Sequence, residues 1–344
     1  LVQLRVLIVG MKGVGVECAK NLILAGPKAV TLHDEEKVAI EDLGTNFYLA
    51  EDDVGNSRAE SVMGQLSTLN TYVQVEVHTG ALNADVWKDF HVVVYTDDST
   101  RSHLIEANEF CHANGIAFIY SNNMGLSSTI FSDFGPAHTI TDPNGEPTKV
   151  NVVEHVTADG IVEVAAERHG LDDGDFVTFE EVEGMVELNE MKEPVQVKRV
   201  YRKTYDDKEV LVPNKFQIDF DVTGFNEYTT GGIVNQVNVP TVHSYKTLAE
   251  AITHPLTPND FMFPHMSMNK MFMGNMGAQL HFAKLAVWEF QERHEGQLPG
   301  LHSAADAEEC VALANEINNA HKEIEGAVTV DEINAGVVTK VALY

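Results

Sequence analysis

Apolar and polar positions run in two alternating periods along the first part of the chain. Arg5 to Val9 is a short apolar run, β-branched at Val6, Ile8 and Val9, as in a strand buried on both faces. From Val16 the apolar positions fall at Val16, Ala19, Leu22 and Ile23, which is helical spacing. Val30 to His33 predicts a second strand, closing on Asp34. Ser57 to Leu69 predicts an amphipathic helix, with Ala59, Val62, Met63, Leu66 and Leu69 on one stripe. Val73, Val75 and Val77 alternate with polar residues, as in a half-buried strand. His91 to Tyr95 (HVVVY) reads as a buried parallel strand, Leu104 to Cys111 as a helix and Ile116 to Tyr120 as another strand. Strand and helix in this order predict an α/β fold, a doubly wound and mostly parallel sheet over Leu1 to about Thr148.

After Asp142 to Pro147 (DPNGEP) the pattern changes. Strand-like runs follow one another without helices between them: Lys149 to Val156, Gly160 to Val164, Asp175 to Phe179, Val195 to Tyr201 and Phe216 to Val222. Asp159-Gly160, Asp173-Gly174 and Gly231-Gly232 punctuate them as turns. Residues 149–240 are therefore expected to form a small antiparallel barrel or sandwich. From Ser244 the period is helical again. Leu280, Ala283, Val287 and Phe290 mark one face of a helix near Asn275 to His294. Val311, Ala314, Ile317 and Asn318 mark another, and Asp331 to Leu343 a last one. Residues 241–344 are expected to be a bundle of four helices.

The join between the first strand and helix reads G-M-K-G-V-G. In a dinucleotide-binding turn the first glycine permits the reversal, the second lets backbone approach a pyrophosphate, and the third lets the helix pack on the sheet. Here Gly10, Lys12 and Gly15 hold those places, and Gly13 comes one position late. The Rossmann-like reading survives the change, while the ligand reading is weakened. Asp34 lies 19 residues after Gly15, where a ribose-binding carboxylate belongs. The competing reading is a solvated acid at a strand end, beside Glu35 and Glu36. Lys12 favours the second reading, because its side chain takes the space of a diphosphate. A lysine can also hold phosphate as a point charge, which leaves the question open.

Charge narrows the partners. The 344 residues carry a formal net charge of −29, which repels phosphate backbones and anionic lipid. Neither nucleic acid nor membrane is an expected partner, and no apolar run reaches spanning length. The three cysteines, Cys18, Cys111 and Cys310, show no C-x-x-C spacing, which fits a reducing compartment. The chain begins at Leu1 without an initiator Met and is expected to be a fragment. The fifteen histidines form no His-x-x-x-His or Cys/His cluster, so no metal site is expected. Ser127-Ser128-Thr129 follows Gly125 without a nucleophile elbow, and no catalytic residue is expected. Met262, Met266, Met268, Met271, Met273 and Met276 could form an adaptable protein-binding surface, although core packing is the commoner explanation.

Two stretches together carry a more specific signal. GMKGVGVECAKNLILAGPKAVTLHDEE, running into NFYLAEDDVGNSRAE (Asn46 to Glu60), resembles the N-terminal, non-catalytic adenylation half of ubiquitin-activating enzymes. RHGLDDGDFVTFEEVEGMVELN (Arg168 to Asn189) resembles their inserted β domain, the first catalytic-cysteine half-domain. GGIVNQVNVP (Gly231 to Pro240) resembles its exit, and the helical end resembles the family's four-helix bundle. The resemblance is collinear over essentially the whole chain.

By that resemblance, the family's active half holds Mg-ATP with G-x-G-x-x-G, an acidic pair after the second strand and an N-x-N-R-Q-F element. In this chain the first acid is kept as Asp34, and the later element reads Asp42-Leu43-Gly44-Thr45-Asn46-Phe47, with Thr45 in place of its arginine. A lysine expected further on is replaced by Asn56, with Arg58 nearby. The resemblance implies that this half binds no ATP and scaffolds an active adenylation half lying beyond Tyr344. The family's inactive half also carries an arginine that reaches into the active site, here upstream of Leu1. The parent enzyme would adenylate the C-terminus of ubiquitin, pass it to a cysteine as a thioester and deliver it to conjugating enzymes in cytoplasm and nucleus. The β domain would help cradle ubiquitin. The alternative expectation is a stand-alone nucleotide-dependent oxidoreductase with an altered glycine loop.

Overall fold

The computed structural model describes residues 1–124, 127–254 and 276–342. Their contacts divide into two compact units, Leu1–His138 with Ser244–Tyr344, and Thr139–His243.

The first unit is built on strands β1 (Arg5–Val9), β2 (Ala29–His33), β3 (Gln74–Val77), β4 (Val92–Tyr95), β5 (Ala117–Met124) and β6 (Ser127–Asp133). Their order across the sheet is β3-β2-β1-β4-β5-β6. The first five are parallel, with Val6 in register with Val30 on one side and Val92 on the other. β6 turns back antiparallel to β5, from Phe118↔Asp133 to Met124↔Ser127. The polar run Ser127-Ser128-Thr129 thus opens an edge strand that the sequence pattern missed. Gly125, which precedes it, lies outside the described residues.

Alternate side chains of β1 feed two cores, because a strand sends successive residues to opposite faces. Val6 and Ile8 join Val16, Ala19 and Ile23 of α1 (Gly13–Ala25) and Ala59, Val62 and Leu66 of α2 (Arg58–Ser67). Leu7 and Val9 join Trp87 of α3 (Ala84–Trp87), and Leu104, Ala107 and Cys111 of α4 (Arg101–Asn114).

The second core continues into the last hundred residues, through α5 (Leu248–Thr253), α6 (Met276–Arg293), α7 (Ala304–Lys322) and α8 (Ala335–Ala342). The sequence predicts one apolar face for α6. In the structure Phe282, Leu285, Ala286 and Trp288 are buried as well as Ala283, Val287 and Phe290, while Leu280 is only partly buried. A helix apolar on most sides is a buried helix, and α6 lies among the sheet residues Tyr95 and Tyr120, α7 and α8 in one cluster. Of the methionine-rich segment only Met276 is described, and Met262, Met266, Met268, Met271 and Met273 lie outside the described residues.

The second unit contains β8 (Val150–Val156), β9 (Ile161–Val164), β10 (Phe176–Glu180), β11 (Val195–Lys203), β12 (Glu209–Ile218) and β13 (Ile233–Val237). Their antiparallel pairings run in a closed ring, β10-β11-β12-β9-β8-β13. Val153, Val162, Val177, Phe179, Val197, Phe216 and Val234 fill its core. The short strands β7 (His138–Ile140) and β14 (Thr241–His243) pair with each other. β12 departs from expectation. It begins at Glu209 rather than Phe216 and stops at Ile218 rather than Val222. Pro213 sits where the β11–β12 register shifts between Arg199 and Tyr201, so the strand passes the proline at an irregularity, which is where a strand tolerates one. At the other end the Asp221 carboxylate accepts the Thr223 N–H and turns the chain.

Candidate functional site

The first unit has its topological switch between β1 and β4, where a doubly wound sheet opens a crevice at its strand ends. A cleft of about 490 Å³ lies there, lined by the glycine turn, the end of β2 and the segment after β4. Gly10 has a φ of +89°, and a Cβ at Gly15 would lie 1.8 Å from the Gly10 carbonyl oxygen. The first and third glycine places therefore keep their structural work. A Cβ at Gly13 would meet Thr45 at 3.2 Å.

The middle place is different. Lys12 lines the cleft, and its Nζ donates to Asp98 Oδ2 at 3.0 Å. Burial opposes the charge on Lys12, but Asp98 outweighs it and raises the lysine above its ordinary value. Burial likewise works against the Asp98 carboxylate, yet Lys12, Asn122 and Lys284 together hold it below the usual range. Its neighbour Asp97 is pushed up by burial, against hydrogen bonds from Ser99.

Asp34 is neither solvated nor open to a ribose. Its side chain is only 5% exposed. Arg58 Nη1 reaches both its oxygens, at 3.0 and 2.8 Å, and the Met11 N–H donates to Oδ2 at 2.7 Å. The Glu36 N–H donates to Oδ1. The same guanidinium donates from Nε to Asp42 Oδ2 at 2.9 Å and from Nη2 to the Lys37 carbonyl. Burial opposes the charge of Arg58, and Asp34 and Asp42 more than offset it. Asp42 also accepts the Ala39 N–H, and Asn46 Nδ2 donates to the Met11 carbonyl at 3.0 Å. The loop after β2 is thus tied to the glycine turn from both sides. The sequence pattern marked Asp34 and left Arg58 as a nearby residue. Their pairing was the missed feature, and the only local signal was an arginine at the first position of an amphipathic helix.

The cleft is lined by Asp34, Glu35, Glu36, Asp97 and Asp98 against Lys12 and Arg58. Both cations are already paired with carboxylates. Among the described residues there is no group of His, Cys, Asp and Glu arranged to hold a metal ion, and no helix is long and apolar enough to cross a membrane.

Lys284 lies behind the cleft. Its Nζ donates to Asn122 Oδ1 at 3.2 Å, and Asn122 Nδ2 donates on to Asp98 Oδ1 at 2.9 Å. The Trp288 and Tyr120 rings face it at 4.8 and 5.6 Å. Burial lowers this lysine to about 8, against the opposing pull of Asp98. The unfolded chain, with an ordinary lysine, binds more protons between about pH 8 and pH 10, so this site's contribution to stability rises with pH across that window. Lys284→Met is expected to melt higher than the parent near neutral pH, by an increment worth about 1–3 kcal/mol, with the gap closing toward pH 10. Thermal unfolding at the two pH values checks this. A variant less stable near neutral pH contradicts it.

Comparisons with known proteins bear on the family. The family model described as ThiF family matches residues 1–275, and the one described as ubiquitin-activating enzyme E1 four-helix bundle matches residues 239–318. The chain is 38% identical over 340 residues to ubiquitin-like modifier-activating enzyme 1 of Oryctolagus cuniculus, covering 98% of this chain and 30% of that protein. It is 40% identical over 316 residues to the Homo sapiens protein of the same name, covering 91% and 28%. Ubiquitin-activating enzyme E1 1 of Arabidopsis thaliana is 37% identical over 326 residues, covering 93% and 28%. The chain thus spans about 30% of the length of the relatives it matches, and none of these three supports the oxidoreductase alternative. A doubly wound sheet with a rebuilt glycine turn, matched over residues 1–275, places the chain in the ThiF family.

Proposed function

We propose that this chain is the non-catalytic adenylation portion of a ubiquitin-activating enzyme, a scaffold that binds no nucleotide itself. The observation that carries this reading is the chemistry of the cleft. A nucleoside triphosphate needs free cations and backbone N–H groups for its phosphates. Here both cations are neutralised by carboxylates, and the ribose acid is bound to Arg58. These residues do not fit Mg-ATP, and no chemical step is assigned to them.

In this reading residues 1–148 pair with an active adenylation half of the same enzyme. Residues 149–240 are the first catalytic-cysteine half-domain, built as a small β-barrel, and they contribute to the cradle for ubiquitin. Residues 241–344 are the four-helix bundle, a reading supported by the match over residues 239–318. The whole enzyme adenylates the ubiquitin C-terminus with Mg-ATP, moves it to a cysteine and hands it to conjugating enzymes. Its place is the cytoplasm and nucleus, consistent with three cysteines that are all free thiols.

Titration calorimetry of this chain with Mg-ATP is expected to give no saturable heat, and ATP–pyrophosphate exchange with ubiquitin is expected only from the full-length enzyme. Saturable nucleotide binding by this chain overturns the reading.

A further inference from the structure

Asparagine followed by glycine occurs twice in the chain, at Asn114-Gly115 and at Asn144-Gly145. All four residues are exposed. The asparagine amide is a thermolabile group. A following glycine has no Cβ to keep its backbone nitrogen away from the asparagine Cγ. Residue type and exposure therefore do not separate the two sites, but their hydrogen bonds do.

Asn114 is the last residue of α4. Its Nδ2 donates to the Phe110 carbonyl at 2.8 Å, and the Gly115 N–H donates to the Cys111 carbonyl. The amide that would leave and the nitrogen that would attack are both tied back along the helix. Asn144 lies in the loop between β7 and β8. There the Gly145 N–H donates to Asp142 Oδ1 at 2.8 Å, and the Glu146 N–H donates to Asn144 Oδ1 at 2.9 Å. Among the described residues, Asn144 Nδ2 has no hydrogen-bond partner. A Cβ at Gly145 would meet nothing within 4 Å, so the space around the nitrogen is open.

We propose that Asn144 is a site of self-catalysed deamidation, with Asp142 as the proton acceptor and the Glu146 N–H as the oxyanion donor, and that the fold protects Asn114 from the same reaction. The Gly145 nitrogen attacks Asn144 Cγ and gives its proton to the Asp142 carboxylate that already holds it. Charge develops on Asn144 Oδ1, where the Glu146 N–H already donates. The Cγ–Nδ2 bond breaks, and Nδ2 takes up a proton and leaves as ammonia. Water then opens the cyclic imide at either carbonyl, which gives aspartate or isoaspartate. Either product adds one negative charge beside Asp142 and Glu146. Isoaspartate also routes the backbone through the side chain and lengthens the β7–β8 connection by one carbon. The proposal goes beyond the activating-enzyme reading and stands without it.

The test incubates the whole chain, folded and in denaturing urea, and follows both asparagines by peptide mapping with mass spectrometry. In the folded chain Asn144 is expected to convert about tenfold or more faster than Asn114. In urea the two rates should converge, because the helix no longer ties Asn114 and Gly115. Asp142→Asn keeps an oxygen acceptor in the loop but removes the base. It is expected to slow Asn144 by about tenfold in the folded chain and to leave Asn114 unchanged. The parent's rate should also climb less steeply than the variant's from about pH 6 to pH 8, since the variant depends on hydroxide alone. Equal rates at the two asparagines in the folded chain overturn the proposal. So does a difference that persists in urea, which would belong to the flanking residues and not to the fold. An Asp142→Asn variant with the parent's rate and pH profile at Asn144 overturns the role of Asp142.

Discussion

Replacing Arg58 by Met is expected to remove about 3–5 kcal/mol of stability, because it leaves two buried carboxylates without their cation. The Asp34 and Asp42 side chains are 5% and 9% exposed, and one guanidinium serves both. The penalty belongs to the abandoned acids more than to the lost ion pairs. The triple variant Arg58→Met/Asp34→Asn/Asp42→Asn should therefore recover much of the loss, while Arg58→Met alone should not. Arg58→Lys is expected to fall between, since an ammonium cannot match the fork that reaches Asp34, Asp42 and the Lys37 carbonyl together. Denaturant unfolding of the four proteins measures this. A loss below about 1 kcal/mol for Arg58→Met would mean that water replaces the guanidinium and that the knot does not hold the loop.

Gly15→Ala is expected to cost about 3 kcal/mol or more, although it adds a single methyl group. Its Cβ would fall 1.8 Å from the Gly10 carbonyl oxygen and 2.6 Å from Thr96 Oγ1. Neither can retreat easily. Thr96 Oγ1 donates to the Val9 and Gly10 carbonyls at 2.9 Å, which fixes the end of β1. The start of α1 must move instead, and Val16 and Ala19 leave their seats in the core. Gly64→Ala supplies the contrast. That glycine lies within α2 with nothing within 4 Å of a new Cβ, so the substitution should stabilise by roughly 0.5–1 kcal/mol. Equal effects at the two glycines would show that α1 does not seat on β1 as closely as the structure has it.

The centre of the sheet was legible in the chain because β1, β2 and β4 are buried on both faces, and β3 because it alternates. Arg5 to Val9 and HVVVY can hardly be read otherwise. β6 was not legible, since a run of Ser-Ser-Thr at a sheet edge needs no apolar face. Lys12 was legible as a foreign residue in a glycine turn, but its partner Asp98 is 86 positions away and reaches it only through the fold. The place of Asp34 just after β2 was legible, but neither a ribose acid nor a solvated acid describes it. What it does depends on Arg58, brought back by the loop between them. Lys284 was invisible for the opposite reason. One cation inside an apolar helical run looks like a surface residue until the helix is found to be buried on most sides.

The first unit is discontinuous in sequence. Residues 1–138 supply the sheet, and α6, α7 and α8 complete the core that Tyr95, Phe118 and Tyr120 begin. On the ribosome these aromatic side chains emerge well before Phe282 and Trp288. At ordinary elongation rates the delay is on the order of ten to thirty seconds. For that interval the nascent sheet shows a sticky face with no lid, so synthesis of this chain should depend on holdase chaperones, and pausing within the intervening unit should favour misassembly.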